Sequence, residues 1–398
     1  MKITAIRHSP PYHYRMARRI GDANGPVGND HRGGALLYVD TDEGVTGIAP
    51  TGGGPAVRQF EPLLLGQDPR GVVGLWKRMC DHAFKGGVEG QAKAAIGALD
   101  VALWDLKARL NEEPLWRTLG ASSPRVKAYA SGIDLCLSDE AIGELYGRAA
   151  ALGIDAGKLK VGLDMESDLR RLQIVRGALG GASPLASSRP SLMVDSNEYW
   201  SPKQAIRAIT EMERSFDLTW VEEPARRWDY RGLRLVRESV RAAVATGENL
   251  NGAQDFYPLL LNGAADVYEI GAGTTGITGA MQVAQACAVL ELPVAMMNCP
   301  GHFMAHLAAA LPNHMMMEVL LLDREPCFSV DNRIEEGFIV LGESPGLGIT
   351  VDEARLAALA EPLPAAPWQD PQPFPRREGA GLWIKGLTGE EQERQRMR

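Results

Sequence analysis

Short apolar runs and amphipathic stretches alternate along the second half of the chain. The apolar runs predict buried strands near 127–132, 158–161, 192–195, 219–222, 244–247, 266–270, 292–297 and 316–320. The stretches between them have the length and pattern of helices, as residues 205–214 illustrate. Eight strands separated by helices predict a closed (β/α)8-type TIM barrel of the α/β class, not an open sheet.

The first 125 residues follow a different pattern. Residues 1–7 have the composition of a first strand, and residues 35–40 and 45–49 predict a hairpin across a turn at 41–44. A helix follows, because apolar residues recur at intervals of three and four and form one stripe: Ile96, Leu99, Leu103, Leu106 and Leu110. Strands followed by a helix predict an α+β domain.

Two glycine-rich segments of this first domain are predicted to be loops. They are residues 21–34, which carry His31 and Arg32, and residues 51–55. Mobile loops of this kind often close over a site on a neighbouring domain. Plain surface turns are the alternative.

The end of the chain leaves the barrel pattern again. Strands are predicted at 337–341 and 347–351, and we expect both to return to the first domain. Residues 362–375 contain six prolines and residues 390–398 are mostly charged, which predicts an extended arm. The predicted division is a capping domain at 1–125, a catalytic barrel at 126–336, and a return with the arm at 337–398.

Composition narrows the class of protein. The formal net charge of −8 argues against nucleic acid as a partner, because phosphate contacts require basic surface. The chain has no apolar run of about 20 residues, so we expect no membrane span. Its five cysteines are scattered and form no C-x-x-C pair, which fits a reducing cytoplasm and argues against a disulfide framework or zinc cage.

Acidic residues end three consecutive predicted strands. Asp195, Glu222 and Glu248 are 27 and 26 residues apart, about the length of one strand, one helix and two loops. A single acid at a strand end is usually a helix cap or an ion-pair partner. Three at one period predict a shared metal site at the carboxyl ends of the barrel strands. Oxygen ligands alone favour Mg²⁺ over zinc.

Two lysines lie on the strand before these acids. Lys158 and Lys160 are two residues apart, so both point to one face, about 6.6 Å apart. At an effective dielectric of about 20 they repel by about 2.5 kcal/mol, or almost two pK units. We therefore expect one neutral lysine near physiological pH. With a metal, the pair suits removal of the proton α to a substrate carboxylate. Lysines on an exposed edge strand are the alternative.

The sequence resembles the enolase superfamily, in its mandelate racemase and muconate lactonizing enzyme branch. The resemblance reaches from the start of the chain to about residue 355. The matching segments are 98–105, 114–115, the K-x-K at 158–160, the D-x-N at 195–197, the E-E-P at 222–224, the G-E-N at 247–249, residues 275–279, and Glu318.

The resemblance implies a modified (β/α)7β barrel under an α+β capping domain that the N-terminal segment and the C-terminal return build together. It implies Asp195, Glu222 and Glu248 as Mg²⁺ ligands and Lys160 as the base on one face of the substrate. Lys158 would be its electrostatic partner, and Glu318 would contact the substrate carboxylate. We add Asn197, Asn298, His31 and Arg32 as candidate substrate contacts.

The sequence differs from this branch in the residues that would face the substrate from the side opposite Lys160. Racemases of the branch carry an Asp after the sixth strand and a His after the seventh. Here residues 267–271 hold no Asp at the matching point, and Met297 or Asn298 stands where the His would be. The sixth-strand lysine of dipeptide epimerases is missing as well. His302 is the candidate that would replace the second base; a structural role is the alternative.

One further motif points elsewhere. Residues 271–276 match G-x-G-x-x-G, and Glu291 lies downstream. In a dinucleotide site the acid follows the second strand, whereas Glu291 precedes the strand at 292–297. We therefore predict a glycine-rich barrel loop and rank NAD binding last.

The favoured function is β-elimination of water from a sugar acid by a Mg²⁺-dependent lyase. Racemisation, epimerisation or cycloisomerisation of a carboxylate is the second choice, and a non-catalytic, ligand-binding relative is the third. We expect a small carboxylate as the partner, neither nucleic acid nor membrane, and a homo-oligomer.

Overall fold

The structure is a computed structural model, and it describes residues 1–181, 189–322 and 325–360. The predicted C-terminal arm lies outside the described residues. No helix in these three ranges is long and apolar enough to cross a membrane.

The N-terminal region combines two small sheets with helices. Its strands are Ile3–His8 (β1), Tyr12–Ile20 (β2), Asn29–Gly34 (β3), Leu37–Thr41 (β4) and Thr46–Ala49 (β5). Its helices are Glu61–Leu64 (α1), Val72–Ala83 (α2), Gly90–Leu110 (α3) and Leu115–Thr118 (α4). β1, β4 and β5 form one antiparallel sheet, which confirms the predicted hairpin. β2 forms a two-stranded ribbon with β3, and its first residue, Tyr12, also bridges to Ala360.

The glycine-rich segment 21–34 is not a loop throughout. Its last six residues form β3, in which His31 lies opposite Arg15 and Arg32 lies opposite Tyr14. The loop prediction was wrong for this part, because a two-stranded ribbon rich in polar residues carries no apolar alternation. The other glycine segment, residues 51–55, packs on α3 of its own domain, with Gly53 close to Ala98.

Eight parallel strands form a closed barrel. They are Arg125–Ser131 (β6), Ala156–Lys160 (β7), Ser191–Asp195 (β8), Leu218–Glu222 (β9), Ala243–Thr246 (β10), Val267–Ile270 (β11), Val294–Met296 (β12) and His314–Val319 (β13). Each strand pairs with the next, and β13 pairs with β6 to close the ring. All eight lie at the predicted places.

Seven helices separate these strands along the described chain. They are Asp139–Ala151 (α5), Met165–Gly181 (α6), Pro202–Met212 (α7), Tyr230–Ser239 (α8), Ala253–Asn262 (α9), Gly276–Val289 (α10) and Ala305–Ala310 (α11). The order is therefore (β/α)7β, as the resemblance implied.

Side chains alternate between the two faces of each barrel strand. Outward residues such as Leu159, Val194 and Val221 are fully buried in the main core under the helices. Inward residues form a separate apolar cluster that includes Met193, Trp220 and Val267. Ionisable residues replace them toward the carboxyl ends of the strands, so the barrel interior is apolar at one end and charged at the other.

The segment after the barrel contains Phe328–Val330 (β14), Asn332–Glu335 (β15), Phe338–Leu341 (β16), Ile349–Val351 (β17) and Glu353–Ala358 (α12). The expected return of 337–341 to the first domain was wrong, because β16 pairs antiparallel with β6 of the barrel. β17 pairs with β14, but the turn before it does reach the first domain: Leu347 donates to Asp105 at 2.6 Å. The predicted domain boundaries stay a prediction.

Asp100 joins α3 to the barrel. Its carboxylate is fully buried and accepts from the backbone N–H and the hydroxyl of Thr278, at 2.8 and 2.6 Å. Thr278 lies in the first turn of α10, where backbone N–H groups lack helical partners. The loop at 271–276 approaches α3 so closely that a Cβ on Gly276 would lie 2.6 Å from Asp100 Oδ2. Gly276 therefore serves the packing of α3 against the barrel.

Replacing Asp100 should destabilise the protein. Asp100→Ala leaves two buried donors of Thr278 unpaired, so we expect a loss of about 2–4 kcal/mol in unfolding free energy. Thermal and urea unfolding midpoints measure this loss, and Asp81→Ala is the control. The described contact of Asp81 is an exposed helical ion pair with Lys77, which is worth about 0.5 kcal/mol. Equal midpoints for both variants would contradict this role.

His306 should make stability depend on pH. This buried side chain accepts from the N–H of Trp116 in α4, and burial lowers its pKa to about 4. The unfolded chain, with a histidine pKa of about 6.5, binds the proton first. The contribution of neutral His306 to the unfolding free energy is therefore fully present above pH 6.5. It falls by about 3 kcal/mol as the pH drops toward 4. The unfolding free energy, measured by urea unfolding at several pH values, should depend less on pH between 4 and 6.5 in His306→Asn than in the wild type. Equal pH dependence in the two proteins would contradict this role of His306.

Candidate active site

Three neighbouring strands place charged side chains in register at their ends. Lys160 of β7 lies opposite Asp195 of β8, which lies opposite Glu222 of β9. All three side chains point into the barrel and are almost fully buried. The apolar residues that alternate with them pack outward against the helices, so the strand pattern itself sends the charges inward.

Both lysines pair with these acids. Lys158 Nζ contacts Glu222 Oε1 closely, Glu318 Oε1 at 3.2 Å and Asp195 Oδ2 at 3.6 Å. Lys160 Nζ contacts Asp195 Oδ2. Lys158 and Lys160 thus lie within one buried ion-pair network, and the alternative of exposed edge lysines is wrong.

The expected neutral lysine is not found in this arrangement. Burial opposes the charge of Lys160 most strongly and Lys158 repels it, but the combined attraction of Asp195, Glu248 and Glu222 raises the pKa of Lys160. The pKa of Lys158 is likewise raised by Glu222 and Glu318 against the effect of burial. The prediction of one neutral lysine was wrong because it considered the repulsion between the two lysines and not the attraction of the carboxylates that contact them.

Glu248 reaches the same cluster from the loop after β10. Gly247 makes the turn with a φ of 139°, and a Cβ there would lie 2.4 Å from the carbonyl oxygen of Glu269. Glu248 Oε1 accepts from Asn249 at 3.1 Å and from Asn197 Nδ2 at 3.5 Å. Asn197 therefore lies beside a predicted metal ligand.

The acids outnumber the lysines. Burial and the neighbouring Asp195 raise the pKa of Glu222 to about 8, and burial raises the pKa of Glu248. Such shifts mean that the cluster holds more carboxyl groups than its two ammonium groups balance. Within the described ranges no three acids already surround a common point, since the lysines occupy their oxygens. A divalent cation on Asp195, Glu222 and Glu248 would supply the missing charge, so these oxygen donors fit Mg²⁺.

Glu318 and Asn298 connect the eighth and seventh strands to the cluster. Glu318 Oε2 accepts from the backbone N–H and the side-chain amide of Asn298, at 3.3 and 2.5 Å. Its other oxygen faces Lys158. Burial would raise the pKa of Glu318, but Lys158, Lys160 and the hydrogen bond from Asn298 act together to lower it, which favours the ionised carboxylate.

His302 lies apart from the lysines and acids. It ends a 3₁₀ turn after β12 with a φ of 57°, and its ring contacts Asn332. Burial lowers its pKa to about 4. None of the hydrogen bonds and ion pairs of the described chain joins it to the lysines or acids.

The first domain covers the site from one side. Asn24, in the loop between β2 and β3, donates to the carbonyl of Asn197 at 2.8 Å. Arg32 of β3 faces Glu325, beyond β13, with 3.9 Å between Nη1 and Oε1. His31 is more exposed and pairs with its neighbour Asp30. Arg32 thus lies between the β2–β3 ribbon and the segment after β13, whereas His31 makes no described contact with the cluster.

Sequence reasoning missed Glu269. It lies on β11, is fully buried, and faces Glu222. The search for an Asp at the end of this strand passed over it. Strand alternation was the signal that could have found it, because Tyr268 is apolar and outward and Glu269 must therefore point inward.

Comparisons with known proteins agree with this geometry. The family model described as "Mandelate racemase / muconate lactonizing enzyme, N-terminal domain" matches residues 30–120, and "Enolase C-terminal domain-like" matches residues 141–355. A 3,6-anhydro-α-L-galactonate cycloisomerase of Streptomyces coelicolor is 32% identical over 81% of this chain and 90% of its own length. An L-talarate/galactarate dehydratase of Salmonella typhimurium is 31% identical over 74% of this chain and 73% of its own length.

A solved structure adds the metal. The crystal structure of a racemase from Streptomyces coelicolor with bound magnesium has a TM-score of 0.81 and 29% identity. It covers 90% of this chain and all of its own. Magnesium is the cofactor of the superfamily to which these proteins belong.

Glu222→Gln should weaken Mg²⁺ binding. Changes beside a metal ligand commonly cost 10–100-fold in affinity, so losing a ligand should cost more than about 100-fold in calorimetric titration. The circular dichroism spectrum should stay unchanged. Glu335→Gln, an exposed isosteric change on β15, is the matched control. Wild-type Mg²⁺ affinity in Glu222→Gln would remove this residue from the metal site.

Proposed function

This chain belongs to the mandelate racemase and muconate lactonizing enzyme family of the enolase superfamily, and on that premise we propose that it is an acid sugar dehydratase. The reaction would begin with removal of the proton α to the substrate carboxylate. The hydroxyl group on the next carbon would then leave as water, and the enol product would become a 2-keto acid.

The register of Lys160, Asp195 and Glu222 carries this proposal. It holds a lysine amine and two carboxylates, which we predict to bind the metal, on adjacent strands of the buried barrel interior. A base for carbon and a site for a cation are what enolate formation from a carboxylate requires. The full set of acids and lysines opposes the non-catalytic alternative.

Each residue has a defined task in this proposal. Asp195, Glu222 and Glu248 would hold Mg²⁺, which supplies stabilisation of the negative charge that develops on the substrate carboxylate. Lys160 would take the α-proton on its Nζ. Lys158, whose charge Glu222 and Glu318 stabilise, would hold the substrate oxygens in place.

The opposite wall of the barrel favours elimination over racemisation. Racemisation requires a second base on the other face of the α-carbon, and β11 and β12 lie across the barrel from β7. The inward positions there hold Glu269, which faces Glu222, and Ala295. His302 is joined to Asn332 instead. Elimination needs one base at carbon and a proton for the leaving hydroxyl.

Cycloisomerisation is the second candidate. The similarity to the Streptomyces coelicolor cycloisomerase favours it, since that relative covers 81% of this chain. Both reactions share the same base and the same enolate. They differ in the product, because an isomerisation loses no water.

A panel of sugar acids tests the proposal. Purified protein with Mg²⁺ is incubated with galactarate, L-talarate and 3,6-anhydro-L-galactonate, and 2-keto acid is measured by its semicarbazone and by mass. We expect loss of one water from at least one acid. A 2-keto product of unchanged mass would contradict the dehydratase and indicate a cycloisomerase. No turnover with any of these acids would also contradict the dehydratase.

Lys160→Met should lower kcat with the acid that is turned over. Loss of a general base commonly costs about 10²–10⁴-fold, and the metal ligands remain in place. Lys127→Met is the matched control, since Lys127 lies on β6 but pairs with Asp155 away from the cluster. Wild-type turnover by Lys160→Met would exclude Lys160 as the base.

A further inference from the structure

The loop after β6 has no role in the mechanism given above, yet it holds the backbone of Lys160. The register of β6 with β7 ends at the pair of Ser131 and Lys158, so the N–H of Lys160 lies beyond it. This N–H donates to Asp134 Oδ1 at 3.0 Å. Asp134 lies in the loop and is fully buried. Its carboxylate therefore takes the place that the next residue of β6 would have beside the proposed base.

Two more buried side chains surround this contact. The hydroxyl of Tyr146 in α5 lies 2.8 Å from Asp134 Oδ2 and 2.5 Å from the carbonyl oxygen of Lys158. Arg171 of α6 donates to the carbonyl of Lys160 at 2.9 Å and to Asp134 Oδ1 at 3.2 Å. Polar groups of the β7 backbone at both lysines are thus bound by one side-chain network, and Asp134 is its common member.

The first domain holds the loop that carries Asp134. Gly21, which follows β2 directly, donates to the carbonyl of Ile133 at 2.7 Å and accepts from the N–H of Leu135 at 3.0 Å. Ile133 has a φ of 44°, which is unfavourable for a β-branched residue. A conformation of this kind persists only where its surroundings enforce it. The two bonds of Gly21 therefore stabilise the turn that directs Asp134 toward β7.

Arg18 of β2 adds a side-chain contact to the same loop. Its guanidinium group donates to the carbonyl of Gly132 at 2.5 Å and to the carbonyl of Leu320, directly after β13, at 2.8 Å. A Cβ on Gly132 would lie 2.4 Å from Asp134 Oδ2, so this glycine leaves room for the carboxylate. The β2–β3 ribbon, the loop and Asp134 thus form a continuous series of contacts that ends at Lys160.

We propose that Asp134 is a positioning residue for Lys160 and that the β2–β3 ribbon acts on the base through it. The ribbon, docked on the barrel, keeps Asp134 in place, and Asp134 keeps the Lys160 amine where it meets the α-proton of a bound substrate. This role rests on the proposed function of Lys160 as the base. It gives the first domain a task in proton transfer besides covering the site.

Hydrogen exchange of single amides tests this link without substrate. In Asp134→Ala the Lys160 amide loses its acceptor, so it should exchange about tenfold faster or more than in the wild type. The amide of Val221, buried on β9, should keep its rate. Asp134→Asn keeps an oxygen for the Lys160 amide and should raise its rate less. Mass spectrometry with fragmentation that resolves single residues measures both amides.

Arg18→Met tests the action of the ribbon with the loop sequence unchanged. Exchange of the Lys160 amide should again rise, by about threefold or more. With the acid that is turned over, Arg18→Met and Asp134→Ala should both lower kcat by about tenfold or more with little change in KM, since small displacements of a reacting group are costly. Arg15→Met is the matched control, because Arg15 lies on the same strand but pairs with Asp30 within the ribbon.

A buried acid elsewhere separates positioning from stability. Asp105 is also fully buried, and it likewise accepts from backbone N–H groups and an arginine. Asp105→Ala should lower the stability and raise the exchange of the Lys160 and Val221 amides by the same factor. Should Asp134→Ala fail to fold, Tyr146→Phe, which removes one contact of Asp134, replaces it with the same expected direction.

Several results would overturn the inference. Wild-type exchange at Lys160 in Asp134→Ala would show that its backbone needs no such support, and an equal rise at Val221 would make the change global. Faster exchange at Lys160 with a wild-type kcat would remove Asp134 from the positioning of the base. Wild-type exchange and turnover in Arg18→Met would contradict the action of the ribbon. Faster exchange at Lys160 in both variants, with no product from any sugar acid, would support the link and contradict only the dehydratase.

Discussion

Two ammonium groups lie buried among carboxyl groups at one end of the barrel, and the balance of these charges constrains the rest of the site. Lys158 contacts Asp195, Glu222 and Glu318, and Lys160 contacts Asp195. Removing one partner of a buried ion pair typically costs about 3–5 kcal/mol, because the other charge stays buried. The register of β7, β8 and β9 must therefore be kept for stability as well as for chemistry. The surplus of acids over lysines is what suits the same cluster to a divalent cation.

The capping domain depends on buried acids of another kind. Asp100 and Asp105 of α3 accept from the backbone N–H of Thr278 in the barrel and of Leu347 in the segment after it. Both lie in the segment 98–105, which carried part of the family resemblance. The structure gives them a physical task in domain packing, and it places the β2–β3 ribbon so that Asn24 reaches Asn197.

The sequence predicted the parts of the fold that repeat with a clear period. The eight barrel strands could be found because short apolar runs alternate with helical stretches, and the three acids because they recur at intervals of 27 and 26 residues. The ribbon that contains His31 and Arg32 carries no such periodic signal. The pairing of β16 with the barrel was not predicted because the partner of a strand depends on tertiary contacts that the local sequence does not specify. The lysine pKa was mispredicted because the acids that contact the lysines come from other strands. Glu269 was missed because an Asp was sought at the end of that strand and strand alternation was not applied to the glutamate within it.

The central claim is that Lys160 takes the α-proton of a carboxylate substrate beside a metal held by Asp195, Glu222 and Glu248. Exchange of that proton in D₂O, followed by ¹H NMR with Mg²⁺ and the sugar acid that is turned over, tests it most directly. The account predicts deuterium at the α-carbon with the wild type and none with a Lys160→Met variant that still binds Mg²⁺. Exchange at the wild-type rate in that variant would contradict it.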